Sequence, residues 1–318
     1  MKILANDGID ESAKIVLEAQ GFTIETNKIA QEELPHRINE FDVLLVRSAT
    51  KVTKEIMDAA PNLKLVGRAG VGLDNIDTVY AKEKGVTVVN TPAASSTSVA
   101  ELVFAHLFSI CRLLQYTNRE MPENGMAQFN ELKKVASAGV ELKGKTLGIL
   151  GFGRIGRETA RMAYGLGMKV IAYDPMMSEG TVEITFHPEA DIPTISKTIK
   201  TISKEDLLKQ ADFVTLHIPG GQGYVIAADE LAMMKKGAGL INCARGGVVC
   251  EADLIEALKS GHLAYAGTDV FEKEPPINGD ILKLRNVSLS PHIGASTAEA
   301  QKRIGDEMAE QIIHFFNK

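Results

Sequence analysis

The sequence predicts an α/β fold of two doubly wound parallel-sheet domains with a cleft between them. Three observations carry this expectation. The chain has 318 residues, about two domains at roughly 150 residues each. Short apolar runs alternate with amphipathic stretches in two successive series, the pattern of βαβ units. A glycine-rich turn joins the first apolar run of the second series to a helical stretch, where a doubly wound sheet receives its ligand.

The first series places strands at residues 2–4, 22–25, 43–46, 63–66 and 86–89. Between them, residues 11–20 and 54–60 repeat apolar side chains every three or four positions, the helical period. A long helix begins near Ser98, with Ser95, Ser96 and Ser98 as candidate caps, and its apolar body at 99–114 makes the crossing into the second domain. The second series places strands at 146–150, 169–173, 213–217, 238–242, 264–268 and 287–290, with a helix at 154–166. A final helix at 298–316 follows the end of that series and is expected to return to the first domain. The domains are therefore residues 1–97 with 295–318, and residues 98–294. Residues 174–203 show no dominant period, and the chain contains no internal repeat.

Composition narrows the function. A net charge of -6 repels phosphate backbones and anionic membranes, so neither nucleic acid nor a membrane is an expected partner. Cys111, Cys243 and Cys250 form no CxxC pair, which gives no basis for a disulfide framework or a zinc site and fits a reducing compartment. The N-terminus meets Asp7 before a signal-like apolar stretch forms. Residues 99–114 carry Glu101, His106 and Arg112, too short and too charged a segment to span a bilayer. The expectation is a cytoplasmic protein without a metal.

Gly151-Phe152-Gly153-Arg154-Ile155-Gly156 follows an apolar strand and opens a helix, the context that a GxGxxG pattern needs in a Rossmann unit. The first glycine permits the tight turn and the second lets a pyrophosphate approach the backbone. The third lets helix and strand pack closely, so the phosphates meet the helix N-terminus. The next strand ends in Asp174, 18 residues past Gly156, where a carboxylate accepts the adenosine ribose hydroxyls. Such a carboxylate repels a 2′-phosphate, and Pro175-Met176-Met177-Ser178 brings no arginine to bind one, so NAD is favoured over NADP. Gly70-Val71-Gly72-Leu73-Asp74-Asn75 lacks the third glycine and runs into Asp74-Asn75-Ile76-Asp77, which reads as a turn and helix cap; its N–H groups can still hold a small anion.

Hydride transfer to or from a hydroxyl-bearing carbon needs a proton acceptor and a cation that orients the substrate. Three residues at predicted strand ends meet that need. Arg245, flanked by glycines in Asn242-Cys243-Ala244-Arg245-Gly246-Gly247, offers a planar fork to a carboxylate. His292 is the side chain best suited to exchange a proton near neutral pH. Glu274, in a segment that Pro275 and Pro276 are expected to hold extended, would stabilise and orient a protonated imidazole. Each residue alone also reads as structural; together, at the carboxyl ends of parallel strands, they point to one site.

These motifs, with Asp269-Val270-Phe271, Glu274-Pro275 and Pro291-His292, resemble in order and spacing the NAD-dependent D-isomer-specific 2-hydroxyacid dehydrogenases; the interval of 29 residues from Arg245 to Glu274 matches. The resemblance implies a flavodoxin-like substrate-binding domain and a Rossmann NAD-binding domain, with Arg245, Glu274 and His292 catalytic. It implies NAD contacts at Gly151, Gly153, Arg154, Ile155, Gly156, Asp174, His217, Pro219, Cys243, Ala244, Asp269 and Gly294, and a homodimer formed through the nucleotide domains. Residues 46–53, 67–75 and 292–297 resemble the members that oxidise D-3-phosphoglycerate to 3-phosphohydroxypyruvate, the first step of serine synthesis. On that resemblance Arg47 and Ser48 meet the phosphate, the turn Gly70, Val71 and Gly72 meets the carboxylate, and Arg245 and His292 complete the substrate contacts. The alternatives are another D-2-hydroxy acid, such as glycerate, glyoxylate or hydroxypyruvate, and an NAD-sensing corepressor.

Against such relatives, Ser95 stands near the place of an asparagine, Phe129 replaces a tryptophan, and Lys133 and Lys134 stand where a basic residue reaches the neighbouring subunit. The 174–203 stretch is longer, and Pro219-Gly220-Gly221-Gln222-Gly223 is rebuilt. Residues 293–318 suffice for one closing helix, so a C-terminal serine-binding domain, and inhibition through it, is not expected.

Overall fold

A computed structural model describes every residue except Gln222, Asn278 and Lys318, so part of the rebuilt 219–223 loop lies outside the described residues. The chain divides into two compact units, Met1–Ser98 with Ala295–Lys318, and Val99–Gly294.

The first unit is a five-stranded parallel sheet of β1 (Lys2–Ala5), β2 (Thr23–Glu25), β3 (Val43–Val46), β4 (Leu65–Arg68) and β5 (Thr87–Asn90), ordered β2-β1-β3-β4-β5. That is the flavodoxin-like order, in which the chain reverses direction between β1 and β3. Helices α1 (Glu11–Ala19), α2 (Leu34–Arg37), α3 (Lys54–Asp58) and α4 (Thr78–Glu83) connect the strands. Strand β4 lies two residues beyond the predicted 63–66, because its pairing continues through Gly67 and Arg68 onto Val89 and Asn90. Asp10 caps α1 and Asp77 caps α4, each through its carboxylate, so the cap expected within residues 74–77 is supplied by Asp77.

Helix α5 (Ser96–Cys111) starts at the end of the first unit's segment and runs into the second, where its apolar body packs through Val103, Leu107 and Ile110 into the core beside Leu147 and Ile149. Leu113, at φ 53°, breaks it from α6 (Leu114–Ala136). Six parallel strands follow: β6 (Thr146–Leu150), β7 (Lys169–Tyr173), β10 (Phe213–Leu216), β11 (Ala238–Asn242), β12 (Leu263–Thr268) and β13 (Val287–Leu289), ordered β13-β12-β11-β10-β6-β7. Helices α7 (Arg154–Gly165), α8 (Lys204–Gln210), α9 (Ala228–Met233), α10 (Glu251–Lys259) and α11 (Gly279–Lys283) connect them. The unpatterned stretch contains an antiparallel hairpin of β8 (Glu179–Ile184) and β9 (Ile195–Lys200). Only Gly180, Val182 and Ile199 in its strands are buried, and the latter two join the core beside Phe152 and Ala160.

The last helix, α12 (Ala298–Phe316), packs in the first unit, with Met308, Ala309 and Ile312 against Ile3, Leu45 and Leu65. No single helix among the described residues is long and apolar enough to cross a membrane; α5 and α6 reach that length and composition only as a pair bent by 60°.

Candidate active site

All six strands of the second sheet run parallel, so their carboxyl ends share one edge. That edge carries the fingerprint after β6, Asp174 after β7, His217 and Pro219 after β10, Cys243 to Arg245 after β11, Asp269 to Glu274 after β12 and His292 to Gly294 after β13. The chain reverses between β6 and β10, the position where open sheets hold ligands.

The fingerprint has the shape of a nucleotide cradle. At Gly151, φ 92°, a Cβ would lie 2.4 Å from the carbonyl oxygen of His217, and at Gly156 it would lie 2.2 Å from that of Gly151. At Gly153 a Cβ would meet nothing within 4 Å, so the helix N-terminus opens onto free space. Arg154 is exposed and Ile155 half-buried. Asp174 Oδ2 accepts from the N–H of Phe152 at 2.7 Å and Oδ1 from that of Met176 at 2.8 Å. The carboxylate is thus held beside the turn with acceptor capacity remaining.

Burial of the His217 ring pushes its pKa down to about 3, although the residue as a whole is half-buried. The imidazole is therefore neutral. Nε2 lies 3.3 Å from Thr159 Oγ1 and 3.2 Å from Thr215 Oγ1, while the buried Nδ1 has no hydrogen-bond partner among the described residues. Cys243 and Ala244 are buried, and burial raises the Cys243 thiol far above its ordinary pKa, so it forms a neutral wall. An open glycine, close-packed flanking glycines, a held carboxylate and an orphaned buried nitrogen fit a dinucleotide.

The catalytic candidates occupy neighbouring strand ends. His292 Nδ1 lies 2.7 Å from Glu274 Oε2, with about a third of each side chain exposed (34% and 38%). Glu274 Oε1 accepts from the N–H of Phe271 at 3.3 Å. The segment is bent at Glu272–Pro275 rather than extended, because its carboxylates turn back onto backbone donors, Glu274 on Phe271 and Glu272 on Glu251. Arg245 donates from Nη1 to the Ala244 carbonyl at 2.7 Å, and a Cβ at Gly220 would rest 3.2 Å from its Cβ. At Gly246 a Cβ would lie 1.7 Å from the Phe271 carbonyl oxygen, so only glycine lets the arginine loop meet the glutamate segment.

Asp269, 1% exposed, directs its carboxylate to Ser290, Ile293 and Gly294 and so secures the turn bearing His292. Behind it stands His106, which the sequence displayed only as a polar residue in an apolar helix. No local signal reveals its role, since its partners Ser288 and Ser290 lie 182 and 184 residues away.

In the first unit, Arg47 and Ser48 follow β3 at that sheet's reversal point. Asp7 accepts from the N–H groups of Arg47 (2.7 Å) and Thr50 (3.0 Å), and Asn75 Nδ2 donates to the carbonyls of Arg47 and Thr50. The Gly70, Val71 and Gly72 turn follows β4; Gly70 lies at φ 143°, and Asn90 Nδ2 holds the Val71 carbonyl at 2.5 Å. Asp7 and Asn90 are supports that the motifs did not single out, and Asn75, within the quoted turn, had no such role assigned. Among the described residues no cluster of His, Cys, Asp and Glu is arranged for a metal ion.

Two parallel-sheet units, one with a nucleotide cradle and a His–Glu pair on the same sheet edge, define the class of NAD-dependent dehydrogenases. The family profile described as D-isomer specific 2-hydroxyacid dehydrogenase, NAD binding domain, matches residues 104–294, and the chain belongs to that family. It is 42% identical to a hydroxypyruvate reductase of Thermotoga maritima, over 98% of this chain and 97% of that protein. It is also 42% identical to the D-3-phosphoglycerate dehydrogenase of Methanocaldococcus jannaschii, over 98% of this chain but only 57% of that protein. The NAD-dependent formate dehydrogenase of Staphylococcus aureus, solved with NAD, superposes with a TM-score of 0.78 at 29% identity, covering 100% of this chain and 96% of that one. The protein is an NAD-dependent enzyme of the 2-hydroxyacid dehydrogenase family.

Proposed function

We propose that the enzyme reversibly oxidises D-3-phosphoglycerate to 3-phosphohydroxypyruvate, the first step of serine synthesis. The observation that carries the phosphorylated substrate is the Arg47-Ser48-Ala49-Thr50 loop. It sits at the reversal point of the first sheet, anchored through its backbone by Asp7 and Asn75, and no ion pair engages the Arg47 guanidinium among the described residues. Arg47 and Ser48 meet the phosphate in this reading, and the Gly70, Val71 and Gly72 N–H groups meet the carboxylate.

NAD, held by Gly151, Gly153, Arg154, Ile155, Gly156, Asp174, His217, Pro219, Cys243, Ala244 and Gly294, supplies the hydride acceptor. Asp269 supports that edge from beneath. Arg245 orients the substrate carboxylate. His292 takes the proton of the C2 hydroxyl on Nε2 in the oxidative direction and returns it in reduction, while Glu274 on Nδ1 holds the ring and stabilises its charged form. The second reading is reduction of hydroxypyruvate, favoured by the 42% identity to the Thermotoga maritima hydroxypyruvate reductase.

The test follows NADH loss with purified protein and phosphohydroxypyruvate, hydroxypyruvate, glyoxylate or 2-oxoglutarate. Removing one charge-assisted contact worth about 1.5–3 kcal/mol predicts that R47Q raises the KM for phosphohydroxypyruvate about 10–100-fold and leaves that for hydroxypyruvate within about twofold. Faster wild-type turnover of a non-phosphorylated acid sinks the phosphoglycerate assignment.

We further infer a cytoplasmic homodimer joined through the nucleotide-binding units. Helix α6 supports this reading by exposing Met121, Met126 and Phe129 at 43%, 102% and 55%, an apolar face suited to a second copy. Light scattering is expected to give twice the chain mass of 34.3 kDa and a shift toward one chain in M126K/F129E. A wild-type mass of one chain rejects the dimer.

A further inference from the structure

A buried polar chain lies behind the strand ends that carry His292. His106 on α5 is 3% exposed. Its Nδ1 lies 2.9 Å from Ser288 Oγ and its Nε2 3.0 Å from Ser290 Oγ. The Ser290 hydroxyl donates to Asp269 Oδ1 at 2.5 Å. The same carboxylate accepts from the N–H groups of Ile293 and Gly294, both at 2.8 Å, and the Asp269 carbonyl accepts from that of His292 at 2.7 Å. Asp269 thus ties the 290–294 turn at each of these positions.

Chemistry fixes the order of donors. A carboxylate accepts only, so Ser290 gives its proton to Asp269 and turns a lone pair toward His106. Nε2 therefore carries the His106 proton, and Nδ1 accepts from the Ser288 hydroxyl. The ring is neutral, and burial, opposed by the Asp269 charge, keeps its pKa below the ordinary histidine value. The sheet also makes room for this residue: at Gly267 on β12 a Cβ would lie 2.8 Å from His106 Cβ and 3.1 Å from its Cγ.

We propose that His106 is a positioning residue for hydride transfer: by fixing the Ser290 hydroxyl on Asp269, it holds the turn that aims His292. His292 sits at φ 55°, a conformation that a non-glycine residue keeps only where its surroundings over-determine it. The inference rests on His292 as the proton-exchanging group and deepens that reading.

The test compares H106L, H106Q and H292N by kcat, the Kd for NADH and Tm. H106L is expected to lower kcat about tenfold, short of the roughly hundredfold that a 1 Å misplacement costs, with the Kd for NADH unchanged. H106Q, whose amide can donate to Ser290 from the place of Nε2, recovers most of that loss. Where H106L does not fold, S288A removes only the hydroxyl that Nδ1 accepts from, and kcat falls about threefold on this proposal, the scale of one neutral hydrogen bond. A Tm decrease with wild-type kcat in the folded variants, or equal kcat loss in H106L and H106Q, overturns it. Inactive H292N with wild-type kcat in H106L removes the positioning role alone; active H292N removes the reading of His292 and this inference with it.

Discussion

Replacing His292 with asparagine is expected to lower kcat by roughly 10²–10⁴, the usual contribution of a positioned general acid or base. Asparagine preserves a polar group of similar reach but cannot exchange a proton near neutral pH. The turn itself is held through the backbone, by His292 N–H on the Asp269 carbonyl and by Ile293 and Gly294 on its carboxylate, so the fold is expected to survive. The Kd for NADH should stay within about twofold, since the substitution removes an interaction made in the transition state. Stopped-flow and steady-state NADH oxidation measure both quantities. Turnover within a factor of three of wild type removes His292 from the mechanism. Glu274→Gln, which keeps a hydrogen-bonding side chain beside Nδ1 but deletes the charge, should lose less, because Glu274 acts through the imidazole.

Arg245→Met is expected to reduce kcat/KM by about 10²–10³, or roughly 3–4 kcal/mol of transition-state stabilisation, the scale of losing one preorganised donor at a reacting group. Arg245→Lys should recover little of it, because an ammonium lacks the planar fork that pairs bidentately with a carboxylate. The backbone around the arginine is set independently of its head: Asn242 Nδ2 donates to the Arg245 carbonyl at 3.0 Å, and Gly246 passes against Phe271 where no Cβ fits. The loss should therefore appear in substrate kinetics with Tm and NADH affinity preserved. An Arg245→Lys variant with wild-type kcat/KM counts against bidentate anchoring.

Where an apolar run is cleanly bounded, the sequence reveals the element closely. Strands β3, β6, β7 and β11 lie at their expected bounds. The β8–β9 hairpin escaped because its strands bury only three residues and leave most of the others polar and exposed. Its local alternation, Thr181-Val182-Glu183-Ile184, was the available signal. Helix α6 escaped because Pro122 and Gly125 lower its helical propensity and its apolar residues Met121, Met126 and Phe129 are exposed; the chain stays helical through both and departs from helical dihedrals at Gln128.

The fingerprint glycines, Asp174, Arg245, Glu274 and His292 stand out in the sequence as candidates because the chemistry of a nucleotide and a proton carrier dictates residue type and local spacing. Composition and hydrophobic period likewise determined two parallel-sheet α/β units. Tertiary structure alone decided which strand ends became neighbours, and with them the His292–Glu274 contact, the Asp269 clamp and the buried line from His106 through Ser290. These are pairings across 18 to 184 residues. A hydrogen bond depends on distance and direction in space, and no periodicity along a chain records that.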